Sequence, residues 1–168
     1  MKSIREIFRI GYGPSSSHTM GPGRAALFFK ERNPDAERYR VTLFGSLALT
    51  GVGHGTDVAI QKMMDRPDDT EIVWESDKSL PHHPNGMLFE ALNNGEVADR
   101  WEVYSVGGGA LWDEQGTFNS DDIYPDTKMT DILDWCKSEG RSFVEYVELH
   151  EGQEIFDYLE EVWRVMVD

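Results

Sequence analysis

Glycine and proline punctuation constrains this chain more than any other feature. Between residues 10 and 23, Gly11, Gly13, Gly21, Gly23, Pro14 and Pro22 surround the polar run Ser15-Ser16-Ser17-His18. So many helix- and strand-breaking residues predict a loop. A helix follows it, from Pro22 or Gly23 to about Glu31, because proline is tolerated in the first turn. A second cluster, GSLALTGVGHG at 45–55, carries four glycines and His54 ahead of Thr56. Thr56 is a capping candidate for a helix whose Ala59, Ile60, Met63 and Met64 share one face. Each cluster therefore holds a glycine-flanked histidine just ahead of a helix.

Between these loops the hydrophobic periodicity switches. Tyr39, Val41 and Leu43 alternate with polar residues as in a half-buried strand ending at Gly45, and 71–75 reads as another strand. DKSLPHHPNG is a proline-broken loop. Met87, Phe89 and Ala91 alternate before Asn93-Asn94-Gly95, and Trp101 and Val103 after it, so a hairpin is expected. Gly107-Gly108-Gly109 ends or bends its second strand. Periodicity is then lost through ALWDEQGTFNSDDIYPDT.

At the amino end, Ile4, Ile7 and Phe8 have the spacing of a short amphipathic helix. In the last third, Met129, Ile132, Leu133 and Cys136 share a helical stripe that Gly140 stops, and Ser142-Phe143-Val144-Glu145 matches a capping box. Ile155, Leu159, Val162, Trp163 and Met166 form a further amphipathic helix running to the terminus. Cys136 falls on the apolar stripe, which predicts packing rather than a reactive thiol.

A length of 168 residues suits one domain, 1–168, with a helical segment over about 127–168. That segment ends on apolar residues and is expected to dock on this domain's sheet or on a following domain. No apolar window reaches the length of a membrane span, and the charged start MKSIREIFRIG is not a secretory signal, so a cytoplasmic protein is expected. The net charge of −15 repels nucleic-acid phosphates and anionic membranes alike. From Ser142 onward Glu145, Glu148, Glu151, Glu154, Asp157, Glu160, Glu161 and Asp168 face only Arg164 and His150, which makes either a solvated face or one that meets a basic partner. A single cysteine cannot build a disulfide, a zinc knuckle or an iron-sulfur cluster within the chain.

The serine run admits several chemistries. Ser17 and His18 are adjacent, whereas hydrolase nucleophiles and bases come from separate loops, and no G-x-S-x-G elbow surrounds them. Backbone amides, serine hydroxyls and a helix start together suit an anion, and with no phosphate-loop string present a small carboxylate is preferred to a nucleotide; a simple polar turn is the competing reading. His18, His54, His82 and His83 all fall in predicted loops, but none has metal-ligand spacing. Loop histidines equally serve as proton donors, acceptors or orienting partners.

Four ordered stretches then carry a resemblance: GPSSSHTMGPGRAA at 13–26, GSLALTGVGHGTDVAI at 45–60, HPNGM at 83–87 and SVGGG at 105–109. Together they resemble the beta domain of iron-sulfur-dependent L-serine dehydratases. The resemblance implies an α+β fold, a mixed, largely antiparallel sheet packed with helices, similar to the allosteric serine-binding domain of some phosphoglycerate dehydrogenases. It implies conversion of L-serine to pyruvate and ammonia, with a [4Fe-4S] cluster acting as Lewis acid on the substrate hydroxyl. The cluster belongs to cysteines of an alpha domain, on a separate chain or a following half, and the resemblance also implies a homodimer. Transferred by position, His18 and His54 are the catalytic candidates, and Ser15, Ser16, Ser17, Thr19, Thr56, Asp57 and Asn85 the substrate-binding ones. Gly23 stands where the family pattern leads one to expect methionine, and Val52 where lysine is common, which removes a positive charge near a carboxylate site. A serine-sensing regulatory module, or a dimerisation module without catalytic role, is the alternative.

Overall fold

The structure, a computed structural model, describes residues 1–11, 13–117 and 122–167. It divides into two compact units, Gly11–Phe118 and the pair Met1–Ile10 with Asn119–Asp168.

The larger unit is built on a sheet of six strands, β1 (Arg38–Phe44), β2 (Thr70–Glu75), β3 (Gly86–Asn93), β4 (Glu96–Gly107), β5 (Ala110–Asp113) and β6 (Gly116–Thr117), in the order β2-β1-β3-β4-β5-β6. Only β1 and β2 run parallel; every other pair is antiparallel, so the mixed, largely antiparallel sheet with helices is the expected α+β class. Alternation sorts the faces. Val41, Leu43, Met87, Phe89 and Val103 are fully buried on one face, beneath Ala25, Ala26 and Phe29 of α1 (Gly21–Arg32) and Ile60 and Met64 of α3 (Thr56–Met64). Each such large apolar side chain contributes about 1.5–3 kcal/mol on burial. On the opposite face Glu71, Arg40, Glu90 and Arg100 stand side by side across four strands with alternating charge, and Glu90, buried, lies 2.7 Å from Arg100 and 3.7 Å from Arg40.

The β3–β4 hairpin turns through Asn94 (φ 53°) and Gly95 (φ 81°), the left-handed pair that a tight two-residue hairpin requires. The triple glycine does break the second strand: all three residues have positive φ, and the chain reverses there into β5. The stretch without periodicity contains the short hairpin β5–β6, missed because strands of four and two residues are too short to show a period; residues 118–121 lie outside the described residues.

Two expected loops are helical. Ser16–Met20 forms a single wide turn of π-helix that runs directly into α1, whose first turn holds Pro22 and Gly23 within a residue or two of the expected start. Residues 45–54 form α2 (Gly45–His54), which buries Leu47, Ala48 and Gly51. Gly51 reflects close packing, since a methyl built there would lie 2.6 Å from the Trp74 ring, whereas Gly45 opens the helix with φ 50°. Only Gly55, with φ 68°, breaks the helical path between α2 and α3.

The smaller unit holds α4 (Met129–Glu139), α5 (Phe143–Glu151) and α6 (Glu154–Val167). Gly140 ends α4 in the left-handed conformation and Ser142 with Glu145 forms the capping box, both as the sequence predicts. Cys136 is half-buried beside a cluster of Tyr124, Ile132 and Tyr146. The expected N-terminal amphipathic helix is only one 3-10 turn, Ile4–Glu6, with Ile7 74% exposed. The Glu151 carboxylate takes the Ser3 hydroxyl and the Ile4 amide, each at 2.7 Å, and this polar anchor holds the turn together with Ile4, which packs against the Tyr124, Ile132 and Tyr146 cluster.

Candidate functional site

The π turn is organised by Ser15. Its side-chain oxygen accepts the His18 amide at 3.3 Å, and its carbonyl accepts both the amide and the hydroxyl of Thr19. Helix starts leave their first amides without intrahelical partners, so the turn presents donors alongside the serine hydroxyls. Ser17 Oγ lies 2.9 Å from His18 Nδ1, and Ser15 Oγ 3.5 Å from it. Ser16 is exposed, whereas Thr19 is buried with its hydroxyl committed to the backbone.

The second histidine arrives on α2. Ser46, Thr50 and His54 are spaced i, i+4, i+8 and so share one face. Thr50 donates its hydroxyl to the Ser46 carbonyl at 2.9 Å, and His54 Nδ1 lies 2.9 Å from the Thr50 carbonyl. A carbonyl only accepts, so Nδ1 carries the proton and a neutral His54 keeps its lone pair on Nε2. Ser46 Oγ reaches His18 Nε2 at 3.2 Å, and the His18 and His54 rings lie 4.8 Å apart between centroids, tilted by 35°. Burial first, and then the nearby His54, lower the His18 pKa against a smaller opposing contribution from Ser46. Two imidazoles so close do not readily hold two protons.

The remaining motifs interlock around this pair. The Ser46 amide donates to the Pro84 carbonyl at 3.1 Å, tying the HPNGM loop to the start of α2. Asn85, buried, accepts the Ser105 amide on its carbonyl and donates Nδ2 to the Ser105 carbonyl at 3.3 Å. Ser105 is fully buried and faces Gly21 so closely that a methyl there would lie 2.2 Å from Ser105 Oγ. Arg24 of α1 donates to the Gly109 carbonyl. Thr56, fully buried, donates its hydroxyl to the His18 carbonyl at 2.6 Å. Asp57 is partly exposed in the first turn of α3.

Of the residues singled out in the sequence, Ser15, Ser17, His18 and His54 therefore come together around the imidazole pair. Thr19, Thr56 and Asn85 are buried supports whose hydrogen bonds go to the protein itself. Ser46 and Thr50 were not singled out; their spacing with His54 is visible only once residues 45–54 are taken as a helix. Among the described residues no group of three or more His, Cys, Asp or Glu side chains could hold a metal ion.

The family model described as the serine dehydratase beta chain matches residues 3–66 and 61–116, which includes all four interlocked stretches. The chain belongs to the serine dehydratase beta chain family. Among relatives, L-serine dehydratase 1 of Escherichia coli (strain K12) is 30% identical over 217 aligned residues, covering 99% of this chain and 48% of the relative. The L-serine dehydratase of Mycobacterium bovis is 35% identical over 179 residues, 80% of this chain and 39% of the relative, and that of Streptomyces coelicolor 31% over 218 residues, 98% and 48%. The chain spans about half the length of the curated relatives it matches. The imidazole pair, with Ser15, Ser17 and Ser46 around it, lies within the matched residues.

Proposed function

We propose that this chain is the beta portion of an L-serine dehydratase, supplying substrate-contacting and site-closing groups for the conversion of L-serine to pyruvate and ammonia. The observation that carries the reading is the pairing of His18 with His54, delivered by two separate motifs to one point beside a serine-lined helix start. The named relatives are L-serine dehydratases over a stretch that includes this site.

This chain's residues do not fit a resident cluster: Cys136 is its only cysteine and packs in the smaller unit, and among the described residues no metal-binding group converges. A [4Fe-4S] cluster held by cysteines of an alpha domain supplies, when bound there, Lewis acidity toward the substrate hydroxyl. The present residues do the rest. Ser15, Ser17 and the first amides of the π turn receive the serine carboxylate, where the helix dipole favours an anion. His54 Nε2, the unprotonated nitrogen, takes the proton from Cα and gives it to the departing hydroxyl, which leaves as water, while His18, whose charged form burial and its neighbour disfavour, orients the substrate beside it. The loops of this unit exclude water around the reacting carbon. The protein works in the cytoplasm, as a homodimer, with the alpha domain as its partner. No described helix is long and apolar enough to cross a membrane.

His18→Ala and His54→Ala, each made in the enzyme assembled with its cluster-bearing portion and checked for equal iron content, test the reading. Loss of a positioned acid or base lowers turnover by about 10²–10⁴-fold. Unchanged pyruvate formation in both variants would overturn it.

A further inference from the structure

The hydroxyl of Thr56 donates to a backbone carbonyl inside the π turn. Residue 22, four positions after His18, is proline and brings no N–H that could close a regular helical bond to the His18 carbonyl. A side chain on another helix, Thr56 Oγ1, reaches this carbonyl at 2.6 Å. Thr56 is fully buried, and a methyl built at Gly51 would lie 3.1 Å from its oxygen, so Gly51 closes in on that side. A hydroxyl with its proton given to His18 and no exposed surface is poorly placed to meet a substrate.

The chain geometry adds the second half of the argument. His54 ends α2, Gly55 turns the backbone through φ 68°, and Thr56 opens α3. Three consecutive residues thus present an imidazole to the His18 ring and a hydroxyl to the His18 backbone. Holding the carbonyl fixes where the His18 Cα sits relative to the very segment that carries His54. We propose that Thr56 is a positioning residue, acting through the His18 carbonyl to set the register between the His18 and His54 rings, and not a substrate contact. Its catalytic consequence rests on the dehydratase reading; the register itself does not.

The test uses the full 168-residue chain with isotope-labelled histidine. Thr56→Val keeps the shape and removes the hydroxyl, whereas Thr56→Ser keeps the hydroxyl. The expected result is that T56V, still folded by its dispersed amide spectrum, loses the cross-relaxation between the His18 and His54 ring protons and shifts the His18 titration, while T56S retains both. A merely structural threonine would change the melting temperature of T56V and leave ring contact and titration untouched, and that outcome overturns the proposal. Should T56V not fold, Pro22→Ala combined with T56V supplies a backbone donor at position 22. A folded double variant with wild-type ring contact supports the proposal, and failure to recover the contact refutes it. In the assembled enzyme, T56V lowers kcat by about 10–100-fold, the scale of a misplacement near 1 Å, with little change in KM. A rise in KM alone would instead mark a substrate contact. An inactive wild-type assembly with an intact hydroxyl-dependent ring contact would count against the dehydratase reading and leave the Thr56 inference standing.

Discussion

At the scale of residues, His18 is the most heavily specified position in the chain. Its ring is held at both nitrogens, its amide by Ser15 and its carbonyl by Thr56. Burial and His54 both disfavour its charged form, so the folded state binds fewer protons than the unfolded chain below pH about 6.5, the ordinary histidine value. This contribution to stability is complete above that pH and is lost as pH falls toward the depressed folded value. His54→Ala removes the neighbour and leaves burial in place, so the His18 titration moves upward without reaching the ordinary value, as imidazole C–H shifts in a pH series will show. Gly21 and Ser105 give a second prediction. Gly21→Ala forces a methyl to within 2.2 Å of Ser105 Oγ and destabilises by about 1–3 kcal/mol in urea unfolding. Ser105→Ala is neutral or stabilising, because the buried Ser105 hydroxyl oxygen has no hydrogen-bond partner among the described residues and its removal relieves a desolvation cost of about 1 kcal/mol or more.

Among the elements, anchoring by single charged groups decides what apolar periodicity does not. Burial disfavours the charged Glu151 carboxylate, but bonds from the Ser3 hydroxyl, the Ile4 amide and the Tyr124 hydroxyl outweigh it and hold its pKa below the usual 4.5. Stability from these bonds is present above that value and lost as pH falls through the depressed one. Glu151→Ala removes the acceptor for three donors and releases residues 1–8; hydrogen exchange there rises while the β1–β3 core keeps its protection. On the sheet, Glu90→Ala takes from Arg40 and Arg100 their shared buried partner, but both arginines reach solvent and Arg40 keeps Glu71, so stability falls by only about 1 kcal/mol, read from denaturant midpoints. Both anchors depend on groups far apart in sequence, so neither follows from local periodicity.

For the whole molecule, the dehydratase reading and its sensor alternative separate on partner dependence. A half-site needs the cluster-bearing portion, so calorimetric titration of the isolated chain with L-serine is expected to give no saturable heat, and the purified chain no pyruvate. Micromolar binding by the chain alone would favour the regulatory module. The net charge of −15 adds a further expectation: self-repulsion is screened by salt, so the melting temperature rises between low and physiological ionic strength.

The strands β1 to β4, the hairpin at Asn94-Gly95, the caps at Gly140 and Ser142 and the four motif stretches were legible in the chain itself, because each depends on a local period or a conformational preference of one or two residues. The helical state of 16–20 and 45–54 was not. Gly21, just after the first stretch, and Gly51 in the second serve close contacts with Ser105 and Trp74, partners that lie far along the chain, and composition alone cannot distinguish a glycine needed for space from one needed for a turn. The site divides the same way. His18 and His54 were identifiable by motif, but the 4.8 Å pairing of their rings, the role of Ser46 and the burial of Thr56 arise only where α2, α3 and the π turn meet. Residue types determined which chemistry was available; tertiary packing decided which hydroxyls remain open to a ligand and which are spent holding the histidines in place.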